Sequence, residues 1–229
     1  MLGKQGAGKG TQCVRLSRHY VVPHISTGDM LRGAVRSGSQ LGLEARGYLD
    51  AGELIPDSIV IELVAERLTH ADTSSRGFIL DGFPRTVAQA EALADLLAPR
   101  GLEVVIDLVV DTEVVLKRLA SRRVCTDCGA NYSVEKPPRT EWVCDICGGE
   151  VVQREDDTEV AIRRRLELYE RETAPLIAWY AEQGILVNVD GMGPPDEVSM
   201  RLVRVVDDSR QRALVEAARH SNIDEHRPV

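Results

Sequence analysis

The stretch Gly3-Lys4-Gln5-Gly6-Ala7-Gly8-Lys9-Gly10-Thr11 constrains the fold more than any other part of the chain. It has the Gly-x4-Gly-Lys framework of a phosphate-binding loop, which sits between a strand and a helix. Glycines let the backbone N–H groups turn inward, so that these donors and the following helix N-terminus cradle phosphate oxygens. Gly6, Ala7, Gly8, Lys9, Gly10 and Thr11 are therefore candidate phosphate ligands, with Lys9 adding a point charge toward the outer phosphates. A bare glycine-rich turn is the competing explanation, and the rest of the chain has to decide between them. Gly10 stands where most such loops carry Ser or Thr. The usual hydroxyl ligand to magnesium is thus missing or displaced to Thr11, and Asp81, at the end of an apolar run, becomes the acidic group expected near the metal, acting through water. Only Met1 and Leu2 precede Gly3, where a buried strand of about four to six residues is expected. The expectation is that the numbering starts at an internal methionine, since each missing buried side chain would remove ~1.5–3 kcal/mol.

Apolar runs rich in branched residues occur at 20–25, 78–80, 104–110 and 185–189, each near a Gly, Pro or Asp. They read as buried strands. Between them lie helix-length amphipathic stretches at 59–68, 86–97, 113–122 and 159–182. Strand and helix alternate, which predicts an α/β fold around a parallel sheet. The alternation is interrupted at 26–55, mostly helical in pattern, and at 122–158, where long apolar runs are scarce. The reading is one core (1–25, 56–121 and 159–206) carrying two appendages, followed by a polar, partly disordered extension at 207–229. With 229 residues, 43% of them apolar, there is chain enough for one sizeable core.

Four of the five cysteines form two Cys-x2-Cys pairs, Cys125/Cys128 and Cys144/Cys147, separated by fifteen residues. That spacing suits a four-thiolate zinc site, and each pair is followed by a glycine, Gly129 or Gly148, as tight turns around a metal require. Four thiolates leave no position open for substrate, so the zinc is expected to be structural. Empty reduced thiols or a redox pair are the alternatives. Cys13 is read as a small packing residue with no role.

With these motifs in hand, the chain resembles the adenylate kinases, whose phosphate loop also has Gly between Lys and Thr. Thr27-Gly28-Asp29-Met30-Leu31-Arg32 is similar to the start of their AMP-binding insertion. Asp81-Gly82-Phe83-Pro84-Arg85-Thr86, followed by Gln89, is similar to the stretch that grips the AMP phosphate and reads the adenine edge. Arg118, Arg122, Arg154, Asp156, Asp157 and Arg165 match the arginines and aspartates of their lid and hinge, and the resemblance runs from Gly3 to about Val206. It implies a P-loop nucleoside monophosphate kinase fold, a five-stranded parallel sheet with a helical AMP-binding insertion at 26–55 and a zinc-bearing lid at 122–158. It further implies that Arg32 and Arg85 hold the AMP phosphate, that Arg118 and Arg122 hold the ATP phosphates, and that Arg154 and Arg165 bridge the two. Thr27, Glu53, Leu54, Ile55, Gly82, Phe83 and Pro84 would complete the AMP side, and Asn131, Tyr132 and the backbone at Gly193 would flank the ATP base. The Gly193 assignment departs from the family, because Met192-Gly193-Pro194 stands where many relatives place a Lys after the Asp-Gly.

The physical requirement for so many arginines is independent of the family. Two nucleotides bring several negative charges together, and planar, always-charged guanidinium groups align and neutralise the transferring group. An already ionised acceptor needs no general base. Magnesium with ATP and a structural zinc are the implied cofactors, and ATP and AMP the substrates. A net charge of −8 disfavours a broad nucleic-acid surface, and no run of eighteen apolar residues predicts a membrane span. The paired cysteines suit a reducing, cytoplasmic compartment, and the family resemblance implies a monomer. The rivals are a kinase for another nucleoside monophosphate and a non-catalytic nucleotide-binding or zinc-ribbon module. The long cysteine-bearing segment and Gln89 speak against the first, and the set of arginines against the second.

Overall fold

In the computed structural model, which describes residues 1–51, 53–154 and 157–224 with the backbone alone at 216–224, the phosphate loop leads into helix α1 (Lys9–Tyr20). The apolar run at 20–25 is not one strand. Tyr20 completes α1, Val21 closes it in the left-handed conformation at φ 55°, and strand β1 (His24–Ser26) starts only after Pro23. Proline cannot continue the helix and drives the residue before it into extended backbone, which separates the two elements. Ser26 then caps α2 (Thr27–Ser37), its hydroxyl accepting from the Asp29 N–H. α3 (Gln40–Ala51) folds back on α2 so closely that a Cβ at Gly42 would lie 2.1 Å from the Ala34 carbonyl oxygen.

The chain continues through α4 (Asp57–Leu68), α5 (Ala71–Arg76), β2 (Ile79–Asp81), α6 (Val87–Leu97), β3 (Val105–Val109) and α7 (Thr112–Ser121). Three short strands follow, β4 (Arg122–Cys125), β5 (Asn131–Ser133) and β6 (Val151–Val152). The expected single helix over 159–182 is divided into α8 (Glu159–Leu168), a wide π-helical turn (Tyr169–Thr173) and α9 (Pro175–Glu182). Pro175 has no N–H to give to the helical ladder, and the Ala174 N–H reaches five residues back to the Tyr169 carbonyl. β7 (Leu186–Asp190) and α10 (Pro195–Asp224) complete the described chain, so the backbone after residue 206, read from sequence as a polar extension, is helical to Asp224.

β1 pairs with β2, and β3 with β7, both in parallel. Met1 and Leu2 lie between the pairs: the N-terminal amine donates to the Leu80 carbonyl at 2.8 Å, the Leu2 N–H donates to Ile106, and the Leu108 N–H donates to Leu2. Where five strands are expected, the described residues thus hold four named parallel strands joined by a single rung. β3, Val-Ile-Asp-Leu-Val, is buried over its first four residues, as a strand covered on both faces must be. One cluster (Leu108, Val115, Leu119, Ile162, Leu202) packs β3 and β7 against α1, α7, α8 and α10. A second (Ile25, Leu31, Val64, Leu80, Phe83, Leu93) packs β1 and β2 against α2, α4 and α6. β5, β4 and β6 form a separate antiparallel sheet, and Cys125 and Val151 of its strands are buried in one small cluster with Cys144.

Candidate active site

The ends of β1 and β2, the phosphate loop and the edge of the antiparallel sheet enclose a cleft of about 1020 Å³. Gly6 to Thr11 line its floor. Gly6 is needed as glycine, because its φ of +83° is left-handed and a Cβ there would meet Leu119 Cγ at 2.8 Å. Lys9 folds over its own loop, its Nζ donating to the Gly3 and Lys4 carbonyls at 2.6 and 2.9 Å. Arg118 reaches across from α7 to the Ala7 carbonyl at 3.0 Å. The residue replacing the usual hydroxyl also has a steric reason: a Cβ at Gly10 would stand 3.3 Å from Asp81 Oδ2. The missing side chain is what lets the Asp81 carboxylate approach the start of α1. Burial pushes the Asp81 carboxyl upward, but His24 and Lys9 beside it outweigh that and hold it below the usual carboxylate range.

On the other side of the cleft, the Thr27 hydroxyl and Arg85 Nε both donate to the Gly82 carbonyl, at 2.9 and 2.8 Å, tying the start of α2 to the turn after β2. Thr86 caps α6, and Gln89 reaches back so that its Oε1 accepts from the Arg85 N–H at 2.8 Å. Gln89 Nε2 donates to Asp57 at 2.6 Å, and Thr86 donates to the same carboxylate. Arg32 pairs with Asp29 at 2.5 Å, and Glu53 pairs with Arg164 at 3.4 Å. Glu53, Leu54, Ile55 and Pro84 all line the cleft. Phe83 does not: only 1% exposed, its ring is core, so its expected place on the AMP side reduces to backbone. An aromatic side chain beside β2 gains more from burial among Ile25, Leu80 and Leu93 than from a wet cleft.

The arginines converge on Asp157, whose side chain is wholly buried. Arg122 makes a two-pronged contact with it at 2.7 and 2.5 Å, and Arg165 reaches the same carboxylate at 3.4 Å. Asp157 is thus a counter-ion beneath the cleft and is not one of its lining residues. Burial, followed by repulsion from neighbouring arginines, pulls Arg154 and Arg165 down to about 9. Burial likewise lowers Arg85 and Lys9. A cleft in which cations crowd one another in a poorly solvated space is built to receive anions. Asp156 lies outside the described residues. Asn131, Tyr132 and Gly193 line the far end. The Tyr132 hydroxyl, however, is engaged behind the cleft, 3.4 Å from Cys144 Sγ and accepting from the Asp145 N–H.

The four cysteines, Cys125 at the end of β4 and Cys128, Cys144 and Cys147 beyond the strands, come together as the spacing predicts. Cys125 and Cys147 sulfurs are 3.4 Å apart, Cys128 and Cys144 3.5 Å, and all four lie within 4.8 Å of one another. Four thiolates about 2.3 Å from one tetrahedral ion would stand roughly 3.8 Å apart, so the set fits a zinc ion after small rotations. Sequence reading overlooked Arg36 and Arg46, which also line the cleft, and Asp57, which aims Gln89. Arg36 had a signal, standing four residues after Arg32 on one helix face. Asp57 had none, being far from Gln89 in the chain.

The sequence model of the adenylate kinase family matches residues 1–185. The adenylate kinase of Methanococcoides burtonii is 47% identical over 210 residues, covering 90% of this chain and 97% of that protein. Those of Bacillus licheniformis and Thermodesulfovibrio yellowstonii are 50% and 51% identical, each over 86% of this chain and 92% and 93% of theirs.

Proposed function

The chain belongs to the adenylate kinase family and transfers a phosphoryl group reversibly between ATP and AMP, and on that premise we propose how its residues divide the work. The observation that carries the reading is the gathering of Lys9, Arg32, Arg85, Arg122, Arg154 and Arg165 around one cleft that opens from a phosphate loop. AMP lies against residues 26–55 and α6, its phosphate held by Arg32 and Arg85 and its adenine edge by Gln89. Asp57 orients that amide, and Leu54 and Ile55 form the apolar wall. ATP takes the phosphate loop, with Arg118 and Arg122 on its phosphates and the segment 122–158 as a lid over Asn131, Tyr132 and Gly193. Lys9 exchanges its two carbonyl partners for phosphate oxygens on binding.

An AMP phosphate oxygen attacks the γ-phosphorus in line, and the bond to the β,γ-bridging oxygen breaks, yielding two ADP. The acceptor is already ionised, so no base removes a proton. Arg154 and Arg165 span the two phosphates and stabilise charge on the equatorial oxygens, while Asp157 holds Arg122 and Arg165 in place. Asp81 would hold magnesium through water, and the ion would supply charge neutralisation of the phosphates. The four cysteines would hold zinc, which braces the lid. Closure expels water and prevents wasteful hydrolysis. A monomer is what the family resemblance implies, and the paired cysteines suit a cytoplasmic setting. No helix among the described residues is long and apolar enough to cross a membrane.

The test is ATP-dependent conversion of AMP, CMP, UMP and GMP with magnesium. ADP formation from AMP alone is expected. Equal turnover of CMP or UMP would overturn the role given to Gln89.

A further inference from the structure

Two side chains that phosphoryl transfer leaves without a role, Cys13 and His24, meet Asp81 directly beneath the first turns of α1. The sheet register brings them there. β1 and β2 pair with His24 opposite Ile79 and Ser26 opposite Asp81, so His24 and Asp81 are diagonal neighbours on one face. Cys13 descends on that face from α1, one helical turn past Lys9, and is 0% exposed. Cys13 Sγ, a ring nitrogen of His24 and a carboxylate oxygen of Asp81 all lie within 4.8 Å of one another. The His24 Nε2 to Asp81 Oδ2 separation is 3.4 Å, long for a hydrogen bond. It is also the separation of about 3.3–3.4 Å expected between two ligands each about 2.0–2.1 Å from one tetrahedral ion. A fourth soft donor, Met1 Sδ, stands 3.8 Å from Cys13 Sγ.

We propose that Cys13, His24 and Asp81 form a second metal site, distinct from the four-cysteine cluster, that takes a thiophilic closed-shell cation such as Zn²⁺ or Cd²⁺. One thiolate, one neutral imidazole and one carboxylate, with a thioether nearby, make a donor set that favours such ions over magnesium. The Cys13 thiol releases its proton to water as the ion binds. Thiolate and carboxylate together match the divalent charge, which offsets the repulsion from nearby Lys9. The ion enters from the cleft, which Asp81 and Met1 line. Because it draws on Asp81, a thiophilic ion in this site competes with magnesium-bound ATP. That consequence rests on the role given to Asp81 above, whereas the site itself does not.

The experiment uses the whole chain loaded with cadmium-113 and read by NMR. The unmodified protein is expected to give two resonances, one from a four-sulfur site and one from a mixed sulfur, nitrogen and oxygen site. Cys13→Ala and His24→Gln should each abolish the second and retain the first, which reports that the variant is folded. Because the two substitutions lie on different elements, failure of one to fold leaves the other to decide. A single resonance in the unmodified protein, or a second one that survives both substitutions, overturns the site. In steady-state kinetics of the zinc-loaded enzyme, added cadmium should raise the KM for magnesium-ATP about tenfold, the effect of losing one charge-assisted contact, and both variants should resist it. Two resonances with an unchanged KM would leave the site standing and overturn only its competition with magnesium.

Discussion

Leu119 and Cys144 are both buried, at 0% and 4% exposure, yet their surroundings differ in kind. Leu119 shares its cluster with Leu16, Ile106, Leu108, Val115, Ile162 and Leu202, contributed by several helices and strands. Cys144 shares its cluster with Cys125 and Val151, and the partly buried hydrophobic residues packed against it among the described residues are Ala130, Tyr132 and Trp142. The first region is held by apolar area removed from water. The second is too small to be held that way, and in such segments metal–thiolate bonds replace the missing core. The residues proposed to hold phosphate come from both: Lys9 and Arg118 stand on the apolar core, whereas Arg122 begins β4, the strand that ends in Cys125. The proposed chemistry therefore spans a boundary between a region with an apolar core of its own and one that we propose an ion holds together.

Metal removal should separate the two regions most strongly. A structural zinc contributes on the order of 10–16 kcal/mol of apparent binding free energy. Extraction by a chelator in a Trp179→Phe background should collapse the near-ultraviolet signal of Trp142, which packs on the cysteine cluster, and most of the phosphoryl transfer. The far-ultraviolet thermal transition of the core should persist; if it vanishes as well, the regions are not independent.

Arg85→Ala should lower kcat/KM for AMP about 10³-fold, roughly 4 kcal/mol of transition-state stabilisation, with little change in the unfolding midpoint. A parallel fall in the midpoint would make Arg85 a structural residue. Leu119→Ala should do the reverse. Its cavity should lower global stability by about 3 kcal/mol in denaturant titration while metal retention and the Trp142 signal stay constant.

Gln89→Ala should raise the KM for AMP about tenfold and leave that for ATP unchanged if its amide serves AMP as proposed. Asp57→Asn should give a smaller shift in the same direction, and an effect on ATP instead would reassign this side of the cleft. The smallest expected change is at Tyr132→Phe, which removes the hydroxyl that contacts Cys144 and accepts from Asp145. Metal transfer to a chelator should quicken by a few-fold, for about 0.5–1 kcal/mol, without loss of the four-sulfur site.

The parts of this molecule legible from sequence are those whose physics is local. The glycines around Lys9 encode a turn of the backbone and the Cys-x2-Cys pairs encode a four-thiol cluster, whereas the caps Ser26, Thr86 and Thr158 were equally local signals that sequence reading passed over. Each rests on a few consecutive residues, so spacing alone announces it. Pro23 and Pro175 were local signals too, and the breaks they impose inside the stretches 20–25 and 159–182 could have been read from them.

Contacts between distant segments were not legible. Gln89 is aimed by Asp57 and Arg122 is held by Asp157, across 32 and 35 positions of chain. Phe83 turns inward, although its motif placed it at the ligand, and His24 comes to Asp81 only through the register of β1 on β2. The amino-acid sequence by itself determined the phosphate loop, the cysteine knuckles and the set of arginines. Which carboxylate serves which arginine, and which side chains share a buried face, were decided by tertiary structure. Such partners are selected by strand register and helix packing, and these are properties of the whole core that no short stretch carries.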